Sequence, residues 1–180
     1  QLLSAQRRFR LNHSHSPYMV NVQIKPQFKI VLLSPEIPGN TGSIGRTCVA
    51  LGIELIIIGQ CGFDLSEKAV RRAGLDYWKH VWLSEYQHWD EFIQARKVDE
   101  KDLFFFEQYP EKSIFDATFT PHCYLIFGGE TKGTPIDLEK KYSSQFYHLP
   151  QYSEVIRSLN LSNAVTAAAY IAHGKILSKL

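Results

Sequence analysis

The sequence predicts an α/β fold, namely a mostly parallel sheet with helices on both faces. Short apolar runs rich in β-branched residues alternate with longer segments of helical spacing. Several of the short runs are apolar at nearly every position, as strands buried on both faces of a sheet are. The 180 residues, 44% hydrophobic and 21% charged, suffice for one well-filled core. We therefore expect a single domain over residues 19–180.

The predicted elements follow one another from residue 28 onwards. Each predicted strand is an apolar run bounded by polar or turn-forming residues: "FKIVLL" (28–33), "ELIIIG" (54–59), "HVWL" (80–83), "DLFFF" (102–106), "CYLIF" (123–127) and "FYHL" (146–149). The predicted helices lie between or after them, at 41–51, 66–73, 86–97, 135–143 and 161–178. Parallel strands need such crossovers, so the alternation agrees with the fold class.

The first 18 residues, "QLLSAQRRFRLNHSHSPY", are polar and lack periodicity. We expect them to be a disordered arm or a remnant of protein expression. The longest apolar runs are far shorter than the roughly 20 residues that span a bilayer, so no membrane association is expected.

Charge and cysteine content narrow the possible partners. Basic residues exceed acidic ones by only two, so any basic surface must be a local patch. Cys48, Cys61 and Cys123 form no C-x-x-C pair, which argues against a disulfide framework and favours a cytoplasmic protein. Beyond the leading segment, no histidine pair has metal-ligand spacing, so we expect no metal.

The first polar cluster is "SPEIPGNTGSIGRTC" (34–48), which follows the first predicted strand. Asn40 or Thr41 is expected to cap the helix that carries Arg46 inward. The cluster is neither G-x-G-x-x-G nor a Walker loop, because its glycines recur every third residue and no Lys-Ser or Lys-Thr pair follows. A capped helix with a packing glycine is an equally good interpretation.

The second cluster, "LIFGGETKGTP" (125–135), takes a buried strand directly into glycines. Gly128 and Gly129 would let a flat ligand lie against bare backbone, with Glu130 beside it. The alternative is a tight turn before a helix that begins at Pro135.

The third cluster is "RSLNLSNA" (157–164), at the start of the last helix. Asn160 can cap this helix, which leaves Ser158 and Asn163 as surplus polar groups. Solvent or a bound ligand must satisfy them, because a buried polar group without a partner costs about 1–3 kcal/mol. The small residues that follow suit core packing or a symmetric dimer contact.

These clusters carry a family resemblance. "EIPGNTGSIGR" (36–46), "FGGETKGTP" (127–135) and "LPQYSEVIRSLNLSNA" (149–164) resemble, in order and spacing, the three motifs of the SPOUT superfamily of RNA 2'-O-ribose methyltransferases. "KAVRRAGLDYW" (68–78) adds to the match. The short chain is most similar to the members that methylate the wobble nucleotide of tRNA. Two residues depart from the usual pattern. Gly45 stands where a larger apolar residue is usual, and Gly129 stands where Pro or Ser is common.

The resemblance implies a fold and a cofactor. Family members are homodimers with a C-terminal deep trefoil knot that forms the pocket for S-adenosylmethionine, which leaves as S-adenosylhomocysteine. Carried over by motif, the cofactor contacts are Phe106, Gly128, Leu149 and Ser158. Apolar walls and bare backbone at these positions suit an adenine ring.

The resemblance also implies the reacting groups, which are Arg46, Asn40, Glu130, Ser158 and Asn160. A guanidinium is always protonated, so we expect Arg46 to hold the adjacent phosphate and stabilise the developing alkoxide rather than act as a base. The expected RNA contacts are Arg71, Arg72, Arg157 and Tyr170, which offer charge and a stacking surface to the anticodon loop.

Other interpretations remain open from the sequence. The sequence is also compatible with an enzyme that modifies another RNA position and with a catalytically silent RNA-binding module. A dinucleotide-binding oxidoreductase would share the sheet, but the glycine fingerprint of that class is absent from the sequence.

Overall fold

The computed structural model describes residues 24–62, 64–66 and 76–180. Its strands are β1 (Lys29–Leu33), β2 (Leu55–Ile58), β3 (Leu83–Tyr86), β4 (Leu103–Phe106), β5 (Tyr124–Phe127) and β6 (Phe146–Tyr147). Its α-helices are α1 (Pro38–Leu51), α2 (Trp89–Arg96), α3 (Ile136–Lys141) and α4 (Leu161–Leu177). The helix predicted at 66–73 lies almost wholly outside the described residues.

The six strands form one sheet in the order β3-β2-β1-β5-β4-β6, and every pairing between neighbours is parallel. In the centre, Val31 pairs with Ile56 on one side and with Ile126 on the other. The four residues of each of β2, β4 and β5 are all buried. The predicted parallel sheet is therefore confirmed.

Helices cover both faces of the sheet, as predicted. On one face, α1 and α4 supply Ile44, Cys48 and Ala168 to a core that includes Leu32. On the other face, α2 and α3 pack on β1, β4 and β5 through a second core, whose members include Phe92, Leu138, Val31, Phe105 and Ile126. Cys48 is fully buried, and burial raises its pKa to about 12, so it is a packing residue.

The strand order places a topological switch between β1 and β5. The chain leaves β1 for α1 on one face, whereas it leaves β5 for α3 on the opposite face. In open α/β folds, ligands usually bind at the carboxyl edge of the sheet near such a switch.

Several predicted boundaries are wrong. The helix predicted at 86–97 begins only at Trp89, because Tyr86 ends β3, and the strand predicted at 146–149 ends at Tyr147. The segment 80–83 is not a strand: a 3-10 turn occupies Trp78–His80, and β3 begins only at Leu83. Helix α1 begins at Pro38 instead of after Asn40, and its N-cap residue Ile37 provides no side-chain cap. Proline suits the first helical position because its fixed φ fits the helix and its missing N–H would have no partner there.

A buried ion pair lies below the opposite, amino edge of the sheet. Glu54, only 1% exposed, accepts hydrogen bonds from Ser84 Oγ at 2.5 Å and from both terminal nitrogens of Arg96. Burial by itself would raise the pKa of Glu54, but the bonds from Arg96 and Ser84 hold it below its ordinary value. Among the described residues, no helix has the length and apolar character needed to cross a membrane.

Candidate active site

A cavity of about 1180 Å³ opens at the carboxyl edge of β4 and β5. Its walls come from the ends of these two strands, from the start of α1, from the turn after β5 and from the long loop between β6 and α4. All four residues expected to contact the cofactor line it: Phe106, Gly128, Leu149 and Ser158. Asn40, Glu130, Asn160 and Arg157 line it as well. The structure thus brings residues of the three motifs around one hollow.

Glu130 ties the loop after β1 to the turn after β5. Its carboxylate accepts hydrogen bonds from the backbone N–H of Glu36 at 2.7 Å, from that of Ile37 at 3.0 Å and from Asn40 Nδ2 at 3.2 Å. These amides precede α1, so the carboxylate also stands at the positive end of the helix dipole. Glu130 thus binds the two amides just before α1, and no side chain caps the helix, so the predicted cap at Asn40 or Thr41 is wrong.

Glu36, in the loop after β1, makes the reciprocal contact to the turn after β5. Its carboxylate accepts from the hydroxyl of Thr131 at 2.5 Å, from the N–H of Thr131 at 3.1 Å and from that of Lys132 at 3.4 Å. The bonds from Thr131 lower the pKa of Glu36 below its ordinary value, so it is ionised at neutral pH. We call this reciprocal pair of carboxylates, Glu36 and Glu130, the loop clasp.

The loop clasp continues into the last helix through two asparagines. Asn160 Nδ2 donates to Asn40 Oδ1 at 2.9 Å, while Asn40 Nδ2 donates to Glu130. Asn160 Oδ1 accepts from the N–H groups of Ser162 at 2.9 Å and Asn163 at 3.3 Å. The predicted cap of the last helix is thus confirmed, and Glu130, Asn40 and Asn160 form one hydrogen-bonded chain between three distant segments.

Glycines in this region serve the approach of the chain to itself. A Cβ on Gly128 would lie 2.2 Å from the carbonyl carbon of Gly133 and 2.3 Å from Thr134 N. A Cβ on Gly129 would lie 2.8 Å from Glu36 Oε1, within the loop clasp. The backbone of the turn therefore fills the space beside Gly128 that we had expected a flat ligand to use, although both glycines still line the cavity.

Glu107 braces the same turn from the strand end next to it. One of its carboxylate oxygens accepts from Thr134 N and Thr134 Oγ1, each at 2.7 Å. Gly133 adopts a positive φ of 65°, and its N–H donates to Gly129 O at 2.9 Å. Glu36 and Glu107, from the loops after β1 and β4, thus hold the tight turn between residues 129 and 134.

Arg46 does not line the cavity, and its side chain is exposed instead of pointing inward, which corrects the sequence expectation. It lies six residues beyond Asn40 on α1, about 9 Å along the helix axis. Its guanidinium lies over the ring of Tyr77, with 5.5 Å between Cζ and the ring centroid.

Gly45 departs from the motif because Trp78 occupies its side-chain space. A Cβ at Gly45 would lie 2.5 Å from a ring carbon of Trp78. Both residues are buried, so the indole packs directly against the backbone of α1. The missing apolar side chain of the motif is replaced by a ring from the segment that precedes β3.

The expected RNA contacts fall in three places. Arg157 is exposed in the long loop at the cavity, whereas Tyr170 is 54% exposed on α4 and does not line the cavity. Arg71 and Arg72 lie outside the described residues. Within the described ranges, no group of three or more His, Cys, Asp or Glu side chains is arranged to hold a metal ion.

Sequence reasoning missed Glu36, Glu107 and Tyr77. Glu36 lies between two prolines in the first cluster, and Glu107 directly follows β4. Both residues therefore follow predicted strands, at the carboxyl edge of the sheet where ligands usually bind. Their acidic side chains at strand ends were the available signal. Tyr77 gave none, because its partner Arg46 is distant in the chain.

Together, the fold and the site define a parallel α/β protein with a cavity at the carboxyl edge of its sheet, beside two loops joined by carboxylates. The chain belongs to the SpoU rRNA methylase family, whose profile matches residues 27–170, and it is thus an RNA methyltransferase by family. This membership excludes the dinucleotide-binding oxidoreductase that the sequence had left open.

Individual relatives agree with the family. The tRNA (cytidine(34)-2'-O)-methyltransferase of Burkholderia ambifaria is 38% identical over 146 residues, which cover 81% of this chain and 93% of that protein. A solved structure described as "Structural insights into the 2-OH methylation of C/U34 on tRNA" has a TM-score of 0.75 at 35% identity and covers 86% of this chain and 99% of that one.

A third likeness supports the fold alone. The SpoU methyltransferase AviRb from Streptomyces viridochromogenes, solved with the cofactor AdoMet, has a TM-score of 0.68 at 24% identity. The alignment covers 89% of this chain and 65% of that protein.

Proposed function

We propose that this chain transfers the methyl group of S-adenosylmethionine to the ribose 2'-hydroxyl of the wobble nucleotide in the anticodon of tRNA. The observation that carries the proposal is the convergence of the three motifs on one cavity, joined by the chain Glu130–Asn40–Asn160. The relatives at 35–38% identity that are named for position 34 support the choice of nucleotide.

The residues of the cavity fit the cofactor. Phe106 and Leu149 offer apolar walls, and the turn at Gly128 offers backbone groups, as adenine recognition requires. Glu107, Glu130 and Glu139 also line the cavity, and their negative charge suits a sulfonium and an ammonium group. The volume of about 1180 Å³ exceeds what one small ligand fills, so a ribose has room beside the donor.

The bound cofactor supplies an electrophilic methyl group, and the protein supplies position and charge. The loop clasp fixes the two loops that form the walls of the cavity, and Asn160 with Asn40 fixes the start of α4 beside them. This preorganisation would orient a donor and a ribose bound between these loops. Ser158, exposed in the cavity wall, offers a hydroxyl to either ligand.

Arg46 acts from outside the cavity, on the part of the RNA next to the target ribose. Its exposed guanidinium, about 9 Å along α1 from Asn40, meets the phosphate next to the target ribose and stabilises the alkoxide that develops on the 2'-oxygen. The proton that the hydroxyl loses passes to solvent.

The proposal includes the assembly and the partners of the enzyme. It is a cytoplasmic homodimer with a deep trefoil knot in its C-terminal part, it releases S-adenosylhomocysteine, and it needs no metal. Arg157, Arg71, Arg72 and Tyr170 contact the anticodon stem-loop. The exposed ring of Tyr170 and the exposed charge of Arg157 support these two assignments.

The test compares methyl transfer and donor binding in matched variants. Wild-type protein and Arg46→Ala are assayed with labelled S-adenosylmethionine on bulk tRNA and on ribosomal RNA, and the 2'-O-methyl groups are mapped. Arg46→Ala should lose transfer yet bind the donor in calorimetry with unchanged affinity. Lys101→Ala, an exposed residue just before β4 at the opposite edge of the sheet, is the control and should keep both properties.

Three other results would each refute one part of the proposal. Methyl groups at an RNA position other than the wobble nucleotide would refute the proposed target nucleotide. Donor binding without transfer to either RNA would indicate a silent RNA-binding module. Loss of donor binding in Arg46→Ala would refute the separation of donor and substrate sides.

A further inference from the structure

Tyr77 lies beneath Arg46 and is held in place by the same helix. The guanidinium of Arg46 lies over the Tyr77 ring at 5.5 Å, within the range of a cation–π interaction. The hydroxyl of Tyr77 donates to Gly42 O at 2.8 Å, about one turn before Arg46 on α1. Burial raises the pKa of Tyr77, so this hydroxyl stays protonated and remains a donor at neutral pH.

The neighbouring residue fixes the position of the whole segment. Trp78 packs against α1 at Gly45, where no side chain stands between the indole and the helix backbone. Tyr77 and Trp78 therefore contact two consecutive residues of α1, namely Arg46 and Gly45. The Tyr77 ring is thus fixed by its own hydrogen bond to Gly42 and by the packing of the adjacent Trp78, so it gives the guanidinium of Arg46 a stable surface.

We propose that Tyr77 is a positioning residue for methyl transfer, which holds the guanidinium of Arg46 in the orientation that serves the substrate phosphate and the developing alkoxide. This inference rests on the proposed role of Arg46. An exposed arginine loses considerable rotamer freedom when it binds a phosphate, and a ring already beneath it reduces that loss. A planar guanidinium stacks on an aromatic face especially well.

The chain contains a matched control for this arrangement. Tyr86 lies under Arg96 at the same distance of 5.5 Å, and the hydroxyl of Tyr86 accepts a hydrogen bond from Arg96 Nε. Arg96 belongs to the buried ion pair with Glu54, and Tyr86 does not line the cavity. Tyr86→Leu therefore removes an equivalent ring contact without touching Arg46.

The experiment measures kcat, the KM for the donor and the KM for tRNA in Tyr77→Leu, Tyr77→Phe and Tyr86→Leu, with thermal melts of each. Tyr77→Leu should lower kcat/KM for tRNA about two- to fivefold, the factor that an exposed cation–π contact supports, at an unchanged donor KM. Tyr77→Phe keeps the aromatic face and should stay within about twofold of the wild type. Tyr86→Leu should lower the melting temperature alone.

A spectroscopic reading is independent of turnover. The Nε–H resonance of Arg46 should be shifted by the Tyr77 ring in the wild type and in Tyr77→Phe, and it should lose that shift in Tyr77→Leu. Unchanged kinetics in Tyr77→Leu, or an equal rise in the donor KM, would overturn the inference. Full activity of Arg46→Ala would instead refute the proposed role of Arg46 itself.

Discussion

Replacing Gly128 with alanine tests whether the turn after β5 depends on direct backbone packing. The new Cβ would lie 2.2 Å from the Gly133 carbonyl carbon and 2.3 Å from Thr134 N. Non-bonded carbon atoms normally stay about 3.5 Å apart, so the turn must retreat by more than about 1 Å. Backbone atoms on both sides leave no flexible side chain that can absorb the shift.

The size of the effect follows from what the retreat breaks. Forcing an extra carbon into a packed site costs about 1–3 kcal/mol. The two hydrogen bonds between Gly129 and Gly133, at 3.2 and 2.9 Å, weaken as the turn moves, and each contributes about 1 kcal/mol. We expect Gly128→Ala to lose about 3–4 kcal/mol of unfolding free energy, which lowers the melting temperature by about 10 °C.

Urea denaturation followed by circular dichroism measures this loss, and Gly174→Ala is the matched control. Gly174 lies within α4 and has no atom within 4 Å of its would-be Cβ. Alanine there should raise the unfolding free energy by about 0.5–1 kcal/mol, because glycine is the poorer helix former. If Gly128→Ala unfolds within about 0.5 kcal/mol of the wild type, the close approach of the turn is not a constraint and the reasoning fails.

Three further variants probe the carboxylates and the helix cap. Because the bonds from Thr131 lower the pKa of Glu36, the wild type should lose stability as pH falls through the carboxyl range, and Glu36→Gln should flatten that part of a pH series of urea melts. Asn160→Ala should lose about 1–2 kcal/mol of unfolding free energy in urea, since the cap of α4 and the bond to Asn40 disappear together. Glu54→Ala should lose about 3–5 kcal/mol, because Arg96 is left without its partner, while calorimetry finds donor affinity unchanged.

For each variant, one outcome would contradict the prediction. A pH profile of Glu36→Gln identical to that of the wild type would show that the bonds from Thr131 contribute nothing. Asn163→Ala, one turn further along and exposed, should stay within about 0.5 kcal/mol, and an equal loss there would remove the special role of Asn160. Weakened donor binding in Glu54→Ala would mean that the two edges of the sheet are coupled.

The sequence predicted the central strands well, because their patterns follow from burial alone. β1, β2, β4 and β5 are apolar runs buried on both faces, and no other element type fits such short runs between turn residues. β3 failed for the opposite reason. It is an edge strand with the mixed sequence "LSEY", while the more apolar run before it includes the end of a turn that the packing of Trp78 on Gly45 helps to set.

The three motifs supply many of the residues that line the cavity, whereas the contacts among these residues were not predictable. The resemblance of the motifs to the family pointed to Asn40, Glu130 and Asn160. Local rules then predicted a nearby side-chain cap for α1, whereas the carboxylate that binds the two amides before the helix stands more than ninety residues later in the chain. Partners so distant leave no mark on the spacing of a single sequence.

The hydrogen bonds of Asn40 to Glu130 and Asn160 can form only when distant parts of the chain have folded together. These bonds span 90 and 120 residues, so no short stretch of chain contains the assembled centre. Contacts of such long range are slow to form, because loop closure must come first. Recovery of donor binding during refolding would therefore time the docking of the C-terminal segment, and a nascent chain that still lacks α4 would have no centre to recover.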